Sequence, residues 1–336
     1  MTTEQGLALV DRDEDGVDRA FRSDVLEGLS QGHKALPARW LYDDAGSRLF
    51  EDITQVPEYY PTRAETAILR ERAGAIGKAI GRGRVVVEFG SGSSVKTPLL
   101  LEAIEPSAYV PLDIAGDFLR AAAADLAAKF PGLPVHPVEA DFMREVALPP
   151  ETEALPKLGF FPGSTIGNMV PRTAVDLLRS MRATLQADEG DADAARPLLL
   201  IGIDLVKSRK VLLPAYDDAR GVTARFNLNY ARRINRELGG TIPLDALVHE
   251  ARWNDVFARV EMHLRATRDI RFEVCGTEFE MSEGETIHTE NSHKFTRRSA
   301  NLLLAAGGWS PLARWTDAEH RFSLLLAEAT EPRNAP

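Results

Sequence analysis

The run VVVEFGSGSSVKT at positions 85–97 constrains this chain more than any other segment: β-branched residues end in an acid and pass into a turn of small residues spaced by Gly90 and Gly92. A β-branched run suits a strand, and glycine, lacking Cβ and tolerating positive φ, lets backbone N–H groups approach a ligand closely. The segment predicts a strand, a ligand-binding turn and a helix, the opening unit of a doubly wound α/β fold. A dinucleotide fingerprint would place a third glycine where Val95 stands, and a phosphate-cradling loop would need glycine before Lys96, where Val95 stands again.

What remains is E-x-G-x-G, which resembles the first motif of S-adenosylmethionine-dependent methyltransferases of the Rossmann-like class. A nucleoside site needs a carboxylate roughly 20 residues further on, at the end of the next strand, to bond the ribose hydroxyls. Asp113 closes the segment AYVPLD, 23 positions after Gly90. The segment PVHPVEADF ends in Asp141 and Phe142, an acid suited to an adenine amino group and an aromatic suited to its ring. Successive strand ends therefore carry ligand-type residues, as open α/β sheets require at their carboxyl edge.

The balance of 40 basic against 50 acidic residues gives a net charge of −10, which argues against nucleic acid as a partner and for a small molecule. Cys275, the single cysteine, has no internal disulfide partner and reads as a buried inert thiol, in keeping with a reducing cytoplasm. No signal-like N-terminus is visible, and the longest apolar runs fall well short of the ~20 residues of a membrane span, so no membrane association is expected.

Helical and strand patterns alternate through the centre of the chain. A capping-box spacing at Thr62 and Glu65 leads into apolar residues at helical intervals from Ala64 to Ile80, which predicts one helix before the glycine turn. Strands are expected at 84–89, 109–112, 135–138, 158–162 and 198–205, and helices from 97, over 117–130 and over 172–186. The segment 187–196 reads as an exposed connection. After Asp204 the rhythm changes to a long helix at 222–238 and strands within 257–281, then returns to a helix at 298–306 and a final strand at 320–329. The expected architecture is α/β: a Rossmann-like doubly wound sheet over 65–206 and 294–336, with a second, inserted α+β domain over 10–64 and 207–293.

Further motifs lie outside the glycine turn: PEYYPTR at 57–63, FPGSTIGN at 161–168, AYDD at 215–218, the pair Glu261 and Met262, and TENSHKF at 289–295. Together they resemble the histidine Nα-methyltransferases of ergothioneine biosynthesis, from about Trp40 to Ala327. The resemblance implies S-adenosylmethionine as cofactor, held by Tyr42, Gly90, Lys96, Asp113, Asp141 and Phe142. It also implies a free amino acid, L-histidine, as partner. Tyr59, Gly163, Asn168 and Tyr216 would surround its amino and carboxylate groups, with Met262, Glu290 and Ser292 around the side chain. Tyr59 and Asn168 would orient the reacting amine.

These residue types suit that work. Asn168 offers both a donor and an acceptor, against the alternative of a helix cap before Pro171. Tyr59 and Tyr216 supply hydroxyls and aromatic faces, against the alternative of ordinary core tyrosines. An ionised Glu290 accepts from one imidazole nitrogen while Ser292 meets the other, against the alternative of a solvated glutamate beside Lys294. His288, Glu290 and His293 do not have a zinc-site spacing, so no metal is expected. The implied reaction is direct in-line methylation of the histidine α-amine up to the trimethylated betaine. The alternatives are an N-methyltransferase of another amine, such as a tryptophan derivative, and a non-catalytic S-adenosylmethionine-binding module.

Overall fold

The computed structural model describes residues 16–92, 96–114, 116–186 and 195–330. Val95 and most of the 187–196 connection lie outside the described residues. Helices in chain order are α1 (Arg19–Ser30), α2 (Asp44–Gln55), α3 (Tyr60–Glu71), α4 (Ala73–Ile80), α5 (Thr97–Ile104), α6 (Gly116–Lys129), α7 (Pro171–Leu185), α8 (Arg209–Tyr216), α9 (Val222–Glu237) and α10 (Arg297–Ala306). Strands are β1 (Val85–Phe89), β2 (Ala108–Asp113), β3 (Val138–Glu139), β4 (Lys157–Phe161), β5 (Leu198–Asp204), β6 (Leu247–Asn254), β7 (Arg259–Ala266), β8 (Ile270–Val274), β9 (Thr277–Met281), β10 (Thr286–His293), β11 (Trp309–Thr316) and β12 (Phe322–Ala329). The chain divides into two compact units, Met1–Tyr60 with Lys207–His293, and Pro61–Val206 with Lys294–Pro336. Among the described residues, no helix is long and apolar enough to cross a membrane.

Every residue of β1 is buried, as a parallel strand covered on both faces requires. Val85, Val87 and Phe89 join a core with Leu177, Leu178 and Met181 of α7 and Leu304 of α10. Val86 points the other way, into a core with Ile76 and Ile80 of α4 and Leu100, Leu101 and Ile104 of α5. This two-sided burial is why the run, Glu88 apart, is apolar on both faces instead of alternating. The sheet of the second unit has seven strands in the order β11-β12-β5-β4-β1-β2-β3. β1 pairs in parallel with β2 on one side and β4 on the other, so the strand order reverses there. The second unit is thus a Rossmann-like doubly wound α/β fold closed by an antiparallel pair, β12 on β5 and β11 on β12.

Several elements depart from the periodicity. The helix expected along 64–80 is broken at Arg72, whose φ of −109° and ψ of 8° separate α3 from α4. Since α3 begins at Tyr60, Thr62 and Glu65 lie inside it and form no capping box. The strand expected at 135–138 shrinks to β3, because Pro134 and Pro137 have no N–H to donate and Val135 makes only an isolated bridge to Tyr109. β11, β6, β10 and α8 were not apparent in the sequence. Cys275 is only partly buried, and its Sγ faces Leu238 O at 3.5 Å.

An ion pair fastens the second unit where the chain leaves it and returns. Asp204, at the end of β5, meets Lys294 Nζ at 2.7 Å, with both side chains almost fully buried. Phe295 N donates to Asp204 O at 2.9 Å, and Val206 N to Phe295 O at 3.0 Å.

In the first unit, α1, α2, α8 and α9 share one core with an antiparallel sheet, β10-β7-β6, and with the β8-β9 hairpin. Phe21, Val25, Leu212, Phe226, Tyr230, Met262 and Leu264 belong to that core. The outer edge of β10 is met by the segment around Ala35: Leu36 N donates to His288 O at 2.8 Å, and His288 N to Lys34 O at 2.9 Å.

Glu88 lies on the Val86 face and accepts from Thr97 Oγ1 at 2.7 Å and Tyr109 Oη at 2.6 Å. Burial pushes its pKa up to about 7, against the opposing pull of those two bonds and of Lys96. A carboxyl with a raised pKa in the fold stabilises it fully below the ordinary carboxylate range and loses that contribution as pH rises through about 7. Urea midpoints are therefore expected to fall between about pH 5 and about pH 8.5, and Glu88→Gln, which cannot ionise, should flatten that fall. Identical pH slopes for parent and variant would contradict the assignment.

Candidate active site

At the carboxyl edge of the second unit's sheet, Gly90 has a φ of +71° and Gly92 of +47°, a region costly for residues with a Cβ. Gly90 N and Ser91 N donate to Leu112 O at 2.9 and 3.2 Å, and Gly92 N donates to Asp113 Oδ2 at 3.2 Å. The turn after β1 is thereby stitched to the end of β2, with the Asp113 carboxylate as part of the stitch. A Cβ on Gly90 would lie 3.4 Å from Phe142 Cζ, so the ring lies against the turn. Phe142 is held edge-on by Phe89 and Phe161, with centroids 6.2 and 6.3 Å away. Asp141 is exposed and accepts from Met143 N at 3.0 Å.

The end of β4 is built around a residue that sequence reasoning took for a helix cap. Glu65 is fully buried; its carboxylate forms an ion pair with Lys96 and accepts from Gly163 N at 2.9 Å. Gly163 has a φ of +81°, and a 3₁₀ turn, Thr165–Asn168, follows. The signal for Glu65 was present: it shares a helical face with the buried Ile68 and Leu69 at i+3 and i+4, a position where an unpaired acid is costly. Asn168 ends the 3₁₀ turn and is no helix cap, since the N-cap of α7 is Val170. Lys96, Gly163, Gly90, Asp113, Phe142, Asp141 and Asn168 thus all belong to the carboxyl edge of the second unit.

The remaining residues come together in the first unit. Along β10 the register slips between His288 and Glu290: His288 faces His263 and Glu290 faces Met262, leaving Thr289 as the extra residue of a β-bulge. Ile287 opposes Leu264, and both are core residues. Strict alternation would put Glu290 and Ser292 on the opposite face from Ile287. The bulge turns them onto the same face as Ile287, Leu264 and Met262. There Tyr42 Oη donates to Glu290 Oε1 at 3.2 Å, and the hydroxyls of Tyr216 and Ser292 lie 2.7 Å apart. Tyr59 is edge-on to Tyr216 at 6.3 Å and to Phe50 at 6.1 Å, while Tyr42 is edge-on to Phe50 at 5.6 Å and Phe226 at 5.4 Å.

Glu290 is only 7% exposed, so it is no solvated strand-end acid, and Lys294 pairs instead with Asp204. Tyr42 is 37% exposed as a residue, yet its hydroxyl end is enclosed; burial first, and the Glu290 charge second, hold its pKa well above the ordinary phenol value. Asp43 locks the neighbouring backbone by accepting from Gly46 N at 2.7 Å, Asn229 Nδ2 at 2.7 Å and an Arg236 guanidinium nitrogen at 2.6 Å. Tyr42, implied by resemblance to be a cofactor residue, therefore stands in the first unit, bonded to Glu290.

A family model described as histidine-specific methyltransferase, SAM-dependent, matches residues 21–329. The chain belongs to this family. It is 40% identical over 93% of its length to a histidine N-alpha-methyltransferase of Mycolicibacterium smegmatis, covering 96% of that protein. It is 39% identical over 94% of its length to one of Mycobacterium tuberculosis, again covering 96%. A 4-dimethylallyltryptophan N-methyltransferase of Epichloe festucae var. lolii is 28% identical over 87% of this chain and 90% of its own length. This SAM-dependent methyltransferase uses S-adenosylmethionine as methyl donor.

In this enzyme Glu65 is expected to hold the β4 end and Lys96 as one piece. Breaking a buried pair by removing one partner strands the other charge, so Glu65→Leu should cost about 3 kcal/mol of unfolding free energy. Glu65→Leu with Lys96→Met should recover much of the loss. Urea unfolding of the single and paired variants checks this, and a single-variant cost below about 1 kcal/mol would exclude the role.

Proposed function

We propose that this enzyme transfers methyl groups to the α-amine of L-histidine, continuing to the trimethylated betaine, hercynine. The reading is carried by the bulge in β10, which brings Glu290 and Ser292 onto the face that holds Met262, with the hydroxyls of Tyr42 and Tyr216 already bonded to them. A carboxylate and a hydroxyl two residues apart on one strand face suit the two nitrogens of an imidazole. An indole offers one ring N–H and no acceptor nitrogen, so it matches the pair Glu290 and Ser292 less fully than an imidazole does, which disfavours a tryptophan derivative.

The residues of the second unit's carboxyl edge fit S-adenosylmethionine. The positive-φ turn at Gly90 and Gly92 keeps side chains out of the way, Asp113 supplies a carboxylate for ribose hydroxyls, and Phe142 and Asp141 suit an adenine ring and its amino group. Lys96 completes this set; Tyr42, in the first unit, is the remaining residue that the resemblance assigns to the cofactor. When bound, the cofactor supplies a methyl group on a sulfonium, already joined to a good leaving group.

The protein's part is alignment, worth up to roughly 7–11 kcal/mol in favourable systems. The resemblance assigns Tyr59 and Tyr216 of the first unit, and Gly163 and Asn168 of the second, to the amino and carboxylate groups of the amino acid. Tyr59 and Asn168 are the residues it assigns to orienting the amine, whose lone pair must lie in line with the bond that breaks. The neutral amine is the nucleophile, and no covalent enzyme intermediate is required. Aromatic faces at Tyr59 and Tyr216 favour the growing positive charge of a methylated ammonium. The substrate is read as a free amino acid, with no nucleic acid or membrane involved, and the site of action as the cytoplasm.

Glu290→Ala is expected to reduce kcat/KM for histidine by roughly 1–3 kcal/mol, the range for a bond to a charged group, with S-adenosylmethionine affinity intact. Steady-state assays decide it, and an unchanged kcat/KM would remove the imidazole assignment. Asp113→Ala is expected to weaken S-adenosylmethionine chiefly; normal affinity by calorimetry would displace the ribose assignment. Product masses after incubation with each amino acid should show a trimethylated product on histidine. Methylation of a tryptophan derivative instead would overturn the substrate.

A further inference from the structure

Behind the amino-acid residues of the first unit runs a partly buried chain of hydrogen bonds that none of the roles above uses. Thr289, the bulge residue, donates from Oγ1 to Asn227 Oδ1 at 2.6 Å, with Met262 O 3.0 Å away. Asn227, on α9 and fully buried, directs Nδ2 to His263 O at 3.0 Å and to His249 Nδ1 at 2.9 Å. His249, on β6, has Nε2 2.7 Å from Tyr216 O. The chain therefore begins at the residue that sets the facing of Glu290 and ends on the backbone of Tyr216.

The protons along it are fixed by chemistry. A carbonyl only accepts, so the Asn227 atom facing His263 O is the amide nitrogen, and its second N–H points at His249 Nδ1. Nδ1 must then be a bare acceptor. The ring is neutral with its proton on Nε2, which donates to Tyr216 O. A protonated ring would bring two donors face to face at Asn227. Consistently, burial lowers the pKa of His249 despite the carboxylates of Asp217, Asp218 and Glu250 nearby.

We propose that His249 and Asn227 are positioning residues that set the spacing between the two ends of the amino-acid site, Tyr216 at the head group and Glu290 at the side chain, through a single imposed imidazole tautomer. This rests on the substrate reading above. Neither residue is among those assigned to the amino acid. Each acts through the backbone of a residue that does, Tyr216 through its carbonyl and Glu290 through the bulge at Thr289. Offset at either end would misplace the amine along the line of transfer, and alignment is what the protein contributes.

The test compares His249→Phe, which keeps a ring but removes both bonds, with His249→Gln, whose amide can still donate to Tyr216 O. Thr289→Val, which removes the hydroxyl at the other end, completes the set. His249→Phe and Thr289→Val should each lower kcat/KM for histidine about tenfold, with S-adenosylmethionine affinity by calorimetry within about twofold, and His249→Gln should recover most of the loss. In the wild-type enzyme, ¹⁵N spectra of the His249 ring should show a protonated Nε2 and a bare Nδ1. An Nδ1–H tautomer overturns the proposal even if the variants fail to fold. Glu290→Ala and Tyr216→Phe serve as references. If they impair histidine use and His249→Phe does not, the relay alone is wrong; if all three leave it unchanged, the substrate reading has failed and the relay with it.

Discussion

The buried pair of Asp204 and Lys294 is the constraint on which the architecture of this methyltransferase rests. A polypeptide that leaves a sheet, builds a second compact unit and returns must bring its two ends together, at an entropic cost that grows with the excursion. Here the exit and the return are joined by an ion pair at 2.7 Å and by backbone bonds between the Asp204–Val206 segment and Phe295. Burying two charges is repaid only when they meet in good geometry and further hydrogen bonds satisfy their remaining donors and lone pairs. The pair therefore ties the last strand of the parallel sheet to the segment that continues into α10, and the remaining strands complete the sheet.

Within each unit, backbone irregularities place the chemistry. In the second unit, glycines at positive φ follow β1 and β4, the strands flanking the reversal of strand order, and Glu65 secures the second of these turns. In the first unit, one extra residue in β10 brings Glu290 and Ser292 to the face of Met262, and the hydroxyls of Tyr42 and Tyr216 meet them there. Regular strands supply the platforms, and the departures from regularity aim the side chains.

Legibility followed locality. β1, β2, β4, β5 and α5 to α7 are announced by apolar period and by their flanking turns, because a buried parallel strand needs a continuous apolar run. β11 is harder to see, since Trp309 alone of its residues is buried and Pro311 interrupts it; β3 is curtailed by prolines on either side of His136. The glycine turn, Asp113 and Phe142 were legible because their spacing is local. Glu290 and Ser292 were named only through resemblance, and alternation from Ile287 would have put them on the wrong face. Glu65 was misread as a cap, since its partners Lys96 and Gly163 are remote in sequence. His249 and Asn227 carry no motif, Thr289 enters only as the first residue of TENSHKF, and their relation exists only once α9, β6 and β10 pack together.

The segment around Ala35 has a consequence for how this molecule behaves in company. An outermost strand offers a row of unused amide and carbonyl groups to any other chain, which is the usual route to unwanted self-association. On β10 that row is partly taken by the protein's own residues 34–36, with Lys34 further anchored to Glu285 at 2.7 Å. The strand that bears Glu290 and Ser292 is thereby shielded beside His288 from edge-to-edge pairing by a segment distant in the chain.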